Sequence, residues 1–441
     1  MNSKALSRVK VVISNAIKIS LLIVLVTATH AQDQKSNWKT VDQMSAEDRA
    51  LFDPNHATPR DASIPYIPAE KFPFKAPYTA EEMGYRSAQF SHISRWSHSI
   101  SDVFGVVTSS GYVNQGEWAC FVDFSQPGIQ GYINSPVGEE LGRWMLYETF
   151  PPESEGAQQL WIPIRSDKVE KKRLEFFYYS PSMRRVRRMP EPRRDQRFAN
   201  NAQTLDDVMG RDPWEFKWEL LGTDVLYETA RFPATRTSIT WNEPGNGFVE
   251  RSVSSIKLMG DDFEHYTPDG GVETWVLKAT TKEDWLPDYN EKYLIVWVEK
   301  HTFFILRREK YGHDGRLITI ESRMSEKENP ALGDLGYTSK MGTYWNIDHD
   351  LISYSFHDAH KPRVWSDEQK NMIFKAEFMP REWLFEPIPS QLRLDSPDEF
   401  FLRPHLYPDK FPNHRNTVLP PEVQSRYQQQ EIAKKLVFET E

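Results

Sequence analysis

Tyr293-Leu294-Ile295-Val296-Trp297-Val298, then Phe303–Tyr311, then Leu317–Met324 are three apolar and aromatic runs joined by Lys300-His301 and Gly312-His313-Asp314-Gly315. Runs of this length, rich in β-branched and aromatic residues, read as strands, and the Asp-Gly pair supplies the tight turn of a hairpin. The stretch is therefore a β-meander. Working outward, Glu117–Phe124 alternates, with Trp118, Cys120, Val122 and Phe124 on one face. Leu174–Tyr179 is a strand, Ser180-Pro181-Ser182 a turn, and Met183–Met189 the returning strand. Phe216–Leu221, Val253–Met259, Val272–Ala279, Tyr344–Ile347, Leu351–Phe356 and Ile373–Phe378 add further strand signals. Short helices are expected near Ala80–Phe90, Glu139–Leu146 and Asp206–Gly210. No period of 20–50 residues repeats, which argues against propellers and solenoids. Roughly ten or more strands in meander order form a large antiparallel sheet, which hides its apolar face by closing, curling or folding on itself.

Composition bounds the rest. The 441 residues carry 54 basic and 63 acidic side chains, 30 prolines and one cysteine. One cysteine excludes a disulfide framework and a Cys-based zinc or iron–sulfur site, and Cys120 reads as a small core residue. Lys4, Arg8, Lys10 and Lys18 precede a short apolar run at Leu21–Val26, and Thr29-His30-Ala31 offers a cleavage site after Ala31. That run is too short to span a hydrocarbon core. The expectation is a cleaved secretory signal, a mature chain of net charge −13 in a periplasm, and no lipoprotein acylation, since no cysteine lies near the cut. Such an acidic exported body is a poor partner for nucleic acid. Six prolines in residues 53–77 and eight in 387–421 mark extended arms. The expected organisation is a signal peptide at 1–31, a Pro-rich arm with a short helix at 32–99, a sheet domain at 100–386 and a Pro-rich arm at 387–441.

Tyr178-Tyr179-Ser180-Pro181-Ser182-Met183-Arg184-Arg185-Val186-Arg187-Arg188 carries an aromatic strand, a Pro turn and an Arg-rich return. Trp214–Gly222, Glu273–Ala279, Val298–Glu309 and Tyr311–Leu317 follow in order. Over about residues 100–380 the chain resembles the bacterial family described as outer-membrane lipoprotein-sorting-protein-like, whose own function is unassigned and whose fold is similar to the Lol-type lipoprotein carriers. The resemblance implies an open half-barrel: a curved antiparallel sheet, helices plugging its concave side, and an apolar cavity for acyl chains. It also implies work beside an inner-membrane exporter or an outer-membrane protein. The chain departs from outer-membrane acceptors of this fold in lacking a lipid-attachment cysteine, and it carries arms that minimal carriers lack.

Four sets of residues are candidates for chemistry. The aromatic strand faces, Trp118, Phe124, Phe176, Tyr178, Trp275, Trp297 and Phe303, with Tyr293 and Trp345, are either plain core or the wall of a ligand cavity. Between Arg165 and Arg197 twelve basic residues stand against five acids. There Arg184, Arg185, Arg187 and Arg188 form either a solvated hairpin or a dock for an anionic head group or an acidic partner. Alternation places Arg184 and Arg188 on one face and Arg185 and Arg187 on the other. A strand separates His349 from His357, so these two do not converge as metal ligands should, while His357 and His360 are close enough in sequence to meet across a turn. Asp206/Asp207 and Asp261/Asp262 read as solvated turn acids. Nucleophile-elbow, phosphate-loop and dinucleotide motifs are absent. The expected function is a non-enzymatic periplasmic carrier or chaperone for a lipid or other hydrophobic ligand, with no catalytic residue, metal or cofactor. A structural adaptor for envelope proteins and an envelope hydrolase are the alternatives.

Overall fold

Fourteen strands hydrogen-bond into one antiparallel sheet of a computed structural model, with a separate two-stranded hairpin beside it. The structure describes residues 38–56, 59–60, 75–88, 97–108, 111–125, 135–150, 153–227, 238–243, 247–252, 257–327 and 337–379. The signal segment, the C-terminal arm and His360's side chain lie outside that description. In chain order the strands are β1 (Lys39–Thr40), β2 (His98–Thr108), β3 (Gly111–Phe124), β4 (Gly142–Phe150), β5 (Gln158–Pro163), β6 (Leu174–Ser180), β7 (Arg185–Met189) and β8 (Phe216–Leu226). They continue as β9 (Ser238–Glu243), β10 (Gly247–Ser252), β11 (Val272–Thr281), β12 (Glu291–Glu299), β13 (Ile305–Gly312), β14 (Leu317–Lys327), β15 (Tyr337–Asn346) and β16 (Leu351–Pro362).

The spatial order is β1-β8-β11-β12-β13-β14-β15-β16-β2-β3-β4-β5-β6-β7. One meander, β2–β7, is thus joined through the β16–β2 pair to a second, β8 and β11–β16. The hairpin β9–β10 lies against β16. Lys39-Thr40, from the segment read as an arm, pairs with Thr223 and Gly222 of β8. The helix Ala80–Ala88 packs onto β8 so closely that a Cβ on Gly84 would stand 2.2 Å from the Trp218 ring.

Three expected elements take a different form: of the strand expected at Val253–Met259, residues 253–256 lie outside the described residues and 257–259 lead into a turn. Glu139–Leu146 is no helix but a turn leading into β4, whose Trp144 faces one side of the sheet and Met145 and Tyr147 the other. A segment buried on both faces lacks the one-sided stripe of an amphipathic helix, and tertiary packing decides it. Ile373–Phe378 is no strand. Ser366 and Gln369 form a capping box for the helix Asp367–Ile373, and a 3-10 turn follows at Ala376–Phe378. Ile373, Phe374 and Met379 then cover Phe121, Met145, Leu160 and Ile162. Strands β2 and β5 carry weaker sequence signals: β2 interleaves Ser, Asp and Gly, and β5 begins Gln-Gln.

The sheet is strongly curled. β12 and β6 stand nine places apart in it, roughly 43 Å if flat at about 4.8 Å per strand. Yet the Asp206 carboxylate takes a bond from Arg173 at the start of β6 (3.2 Å) and from the Tyr289 hydroxyl just before β12 (2.7 Å). Lys168 of the β5–β6 loop also pairs directly with Asp284 of the β11–β12 loop. The two meanders therefore meet along a seam at one rim, and the segment 190–215 runs from β7 to β8 across the inner face they enclose. The open curled sheet has the half-barrel form expected from the sequence, with few helices.

Candidate functional site

The antiparallel register spells out the inner face row by row. One row reads Leu220, Leu277, Val296, Arg308, Glu321, Tyr344, Ser353 and Val106. A second, confined to the first meander, reads Val122, Trp144, Trp161, Phe176 and Met189. Charge occupies the middle and apolar groups the flanks. Trp144 and Trp161 stack at 6.2 Å, and Phe176 meets Trp161 edge-on at 5.6 Å.

The crossing segment fills much of this face. Its Leu205 and Met209 pack on Trp144, Trp161 and Leu174. Its charges meet the central row in a buried network of six cations and six carboxylates. Lys310 and Arg211 hold Asp207 at 2.5 and 3.1 Å, and Arg308 and Arg323 hold Glu321 at 2.7 and 2.6 Å. Arg194 bridges Asp206 and Glu215 at 2.9 and 2.5 Å. Arg173 approaches Asp206 and Asp212, and Glu291 approaches Arg211 and Lys310. Burial works against the charged form of Asp207, but Lys310 and Arg211 more than offset it and hold the carboxyl well below its ordinary range. Asp206 is held down in the same sense by Arg194, Arg173 and Arg211. The adjacent acids read from sequence as solvated are thus fully enclosed. Thr204 caps the short helix Leu205–Met209 with a capping box that turns Asp207 inward. Asp261 and Asp262 are exposed, as expected.

Behind this network a void of about 20 Å³ between Arg211, Phe216, Leu294, Val296 and Arg308 has room for about one water. A cleft of about 320 Å³ runs along the seam, lined by Lys171, Glu191, Arg193, Asp195, Trp285 and Tyr289. Part of its charge is paired within the wall, as in Arg193–Asp195 at 2.5 Å. Neither space suits an acyl chain.

The seven aromatic candidates do not share one wall. Trp118, Phe124, Phe176 and Tyr178 stand on the inner face of β3 and β6, each half-buried. Trp275 is on the inner face too, but sealed in the core of the second meander. Trp297 pairs with Val276, not with Trp275, and so faces outward. Its indole donates to Asp224 Oδ2 at 2.9 Å beneath the Arg307 guanidinium. Phe303 sits at the β12–β13 corner with φ +58°, covered by Tyr78 and Arg86. Tyr293 stacks on Tyr311 outside, and Trp345 is largely exposed there. Of the arginines, Arg184 occupies the turn at φ +49°, Arg185 and Arg187 fall on the inner side of the edge strand β7, and Arg188 falls on the other and pairs with Glu175 at 2.6 Å. All four are exposed. His349 bonds to Asn346 and His357 to the Ser339 carbonyl. Among the described residues no group of three metal-binding side chains assembles.

What remains partly uncovered is the part of the inner face of the first meander farthest from the seam. Asp102, Phe104, Trp118, Cys120, Leu146, Glu148 and Tyr178 are half-buried there, beside a second meander whose inner row from Leu220 to Ser353 is buried. Burial raises the Glu148 carboxyl, which accepts from Ser154, and burial and Glu148 raise the Tyr178 hydroxyl. Asp102 and Phe104 carry no strand-length signal in the sequence, because β2 itself was hard to read there. Their alternation with Trp118 emerges only from the pairing register.

A family model for a "protein of unknown function (DUF1329)" matches residues 65–380. The chain belongs to the DUF1329 family. No curated protein matches it. Among solved structures it is similar to a DUF1329 family protein from Desulfovibrio piger, at 14% identity and TM-score 0.45, over 68% of this chain and 97% of that one. It is similar to a provisionally assigned outer membrane lipoprotein-sorting protein domain from Vibrio parahaemolyticus, at 11% identity and TM-score 0.45, over 68% and 100%. It is also similar to a LolA superfamily protein from Nitrosomonas europaea, at 12% identity and TM-score 0.38, over 68% and 99%. The DUF1329 match begins at residue 65, so the helix Ala80–Ala88 on β8 falls inside the family's own span.

Proposed function

We propose that this DUF1329 protein is a non-enzymatic carrier, exported to the periplasm, that holds a hydrophobic ligand against the inner face of β2–β6. The observation that supports this reading is the contrast between the two meanders. The inner face of the second is closed by Met83, Tyr85, Trp214 and Phe216, whereas Phe104, Trp118, Leu146 and Tyr178 of the first are only half covered. A half-covered aromatic surface inside a curled sheet is where barrels hold apolar ligands. Burying eight methylenes there offers roughly 6 kcal/mol before ordering costs, enough for loading and release without covalent chemistry.

Native mass spectrometry of the protein purified from its envelope tests the reading. A mass above that of the chain, releasing a lipid or other apolar molecule on activation, is the expected result. A clean apo mass, together with no displacement of a lipophilic dye by fatty acid or phospholipid, overturns it.

A further inference from the structure

Asp102 of β2 and Trp118 of β3 are cross-strand partners on the inner face. Side chains so paired stand about 5 Å apart at Cβ and point the same way. Asp102 Oδ1 and Trp118 Nε1 are both sealed from solvent, and neither has a hydrogen-bond partner. Buried polar atoms are nearly always paired, and leaving even one unpaired costs about 1–3 kcal/mol. Two such atoms on cross-strand partners of one face supply an unpaired acceptor and an unpaired donor. The wall around them is apolar on one side: Phe104 meets Trp118 edge-on at 5.6 Å and 87°, its own ring lying over Gly116 where any Cβ would clash. The titratable groups beside the pair are His357 on β16, opposite Asp102, and Glu148 on β4, opposite Trp118.

We propose that Asp102 and Trp118 form the polar anchor of the carrier's ligand, and that the group they take is the hydroxyl of a hydrophobic alcohol. This rests on the carrier reading above and gives the ligand a chemical class. A hydroxyl donates its proton to Asp102 Oδ1 and accepts from the Trp118 indole through its oxygen, satisfying both orphan atoms at once. An ammonium would meet the carboxylate but has no lone pair for the indole. A phosphate or carboxylate would accept from the indole but bring its negative charge against the Asp102 carboxyl. Desolvation pushes the Asp102 carboxyl up to about 7, so near neutral pH it offers either an acceptor or a donor to the same hydroxyl. The alkyl remainder then lies along Phe104, Leu146 and Tyr178.

Competition against a lipophilic dye, using the full chain and the isomers 1-decanol and methyl nonyl ether, tests the anchor. The two probes share formula and apolar surface, but only the alcohol donates. The wild-type protein is expected to prefer the alcohol by about tenfold, the value of one hydrogen bond to a buried group. That preference falls to about twofold or less in Asp102→Leu and in Trp118→Phe, while ether affinity holds. Asp102→Asn retains part of it and serves where Asp102→Leu melts early. Equal affinity for both isomers, a preference that survives both variants, or decylammonium binding more tightly than decanol overturns the anchor and leaves the carrier intact. Failure of every probe to displace the dye overturns both.

Discussion

At the scale of single residues the inner face holds two kinds of buried acid, and they respond to pH in opposite ways. Asp102 is enclosed without a counter-charge, and burial alone raises it to about 7. The unfolded chain loses that proton near the ordinary 3.8, while the folded chain keeps it to about 7. The folded state therefore binds more protons in that window, and Asp102 makes stability fall as pH rises from about 4 to 7. Urea unfolding at pH 4, 5.5 and 7 is expected to show a shallower decline in Asp102→Asn than in wild type. An identical pH profile in the two would mean that Asp102 is not buried unpaired. Lys310 is the opposite case, its ammonium locked between both Asp207 oxygens at 2.5 Å. Lys310→Met leaves the buried Asp207 carboxylate with Arg211 as its only described cation partner and is expected to cost about 3–5 kcal/mol. A loss under 1 kcal/mol, measured by the urea midpoint at constant slope, would mean that water reaches Asp207.

At the scale of elements, the crossing segment 190–215 and the hairpin β6–β7 carry arginines with different fates. Arg173 and Arg194 are drawn into the buried network, whereas Arg184, Arg185 and Arg187 stay exposed at the edge of the sheet. Changing Arg184, Arg185, Arg187 and Arg188 together to Gln removes one described ion pair, Arg188–Glu175, worth about 0–1 kcal/mol at an exposed site. The melting temperature should hardly move. If the edge docks an anionic surface, cosedimentation with anionic vesicles falls in the variant and loses its salt dependence, because screening acts on such exposed charges. A lower melting temperature with unchanged vesicle binding would assign these arginines to the body instead. The crossing segment adds its own acid sensitivity. Asp206 and Asp207 are held below 3.8 by their cations, so their stabilising charge is complete above that pH and is lost as pH drops below it. The helix Leu205–Met209 should be the first inner element to exchange its amides in acid.

At the scale of the whole molecule, the two meanders are tied at the β16–β2 pair, through Asp206 and across the Lys168–Asp284 seam. A core shared in this way predicts one cooperative transition. Far-ultraviolet dichroism and tryptophan fluorescence should give coincident urea curves, since buried tryptophans lie in both halves. Separated midpoints would show that the meanders fold as independent bodies.

The strand content, the hairpins at Ser180-Pro181 and Asp314-Gly315, and the common face of Trp118, Cys120, Val122 and Phe124 were legible in the sequence, because period-2 patterning and turn chemistry are local. The helices at Ala80–Ala88 and Leu205–Met209 were legible for the same reason. Which strand lies beside which was not, and that decided everything about the site. Trp275 and Trp297 look alike as core aromatics, but register puts one inside and one outside, and a one-residue shift would exchange them. Asp206 and Asp207 read as solvated until curling carried Arg173 and Lys310 to them from strands far apart in the chain. β4 read as helix because burial on both faces erases alternation. Asp102 drew no notice because an acid's partner, or its lack of one, exists only where distant strands have closed around it.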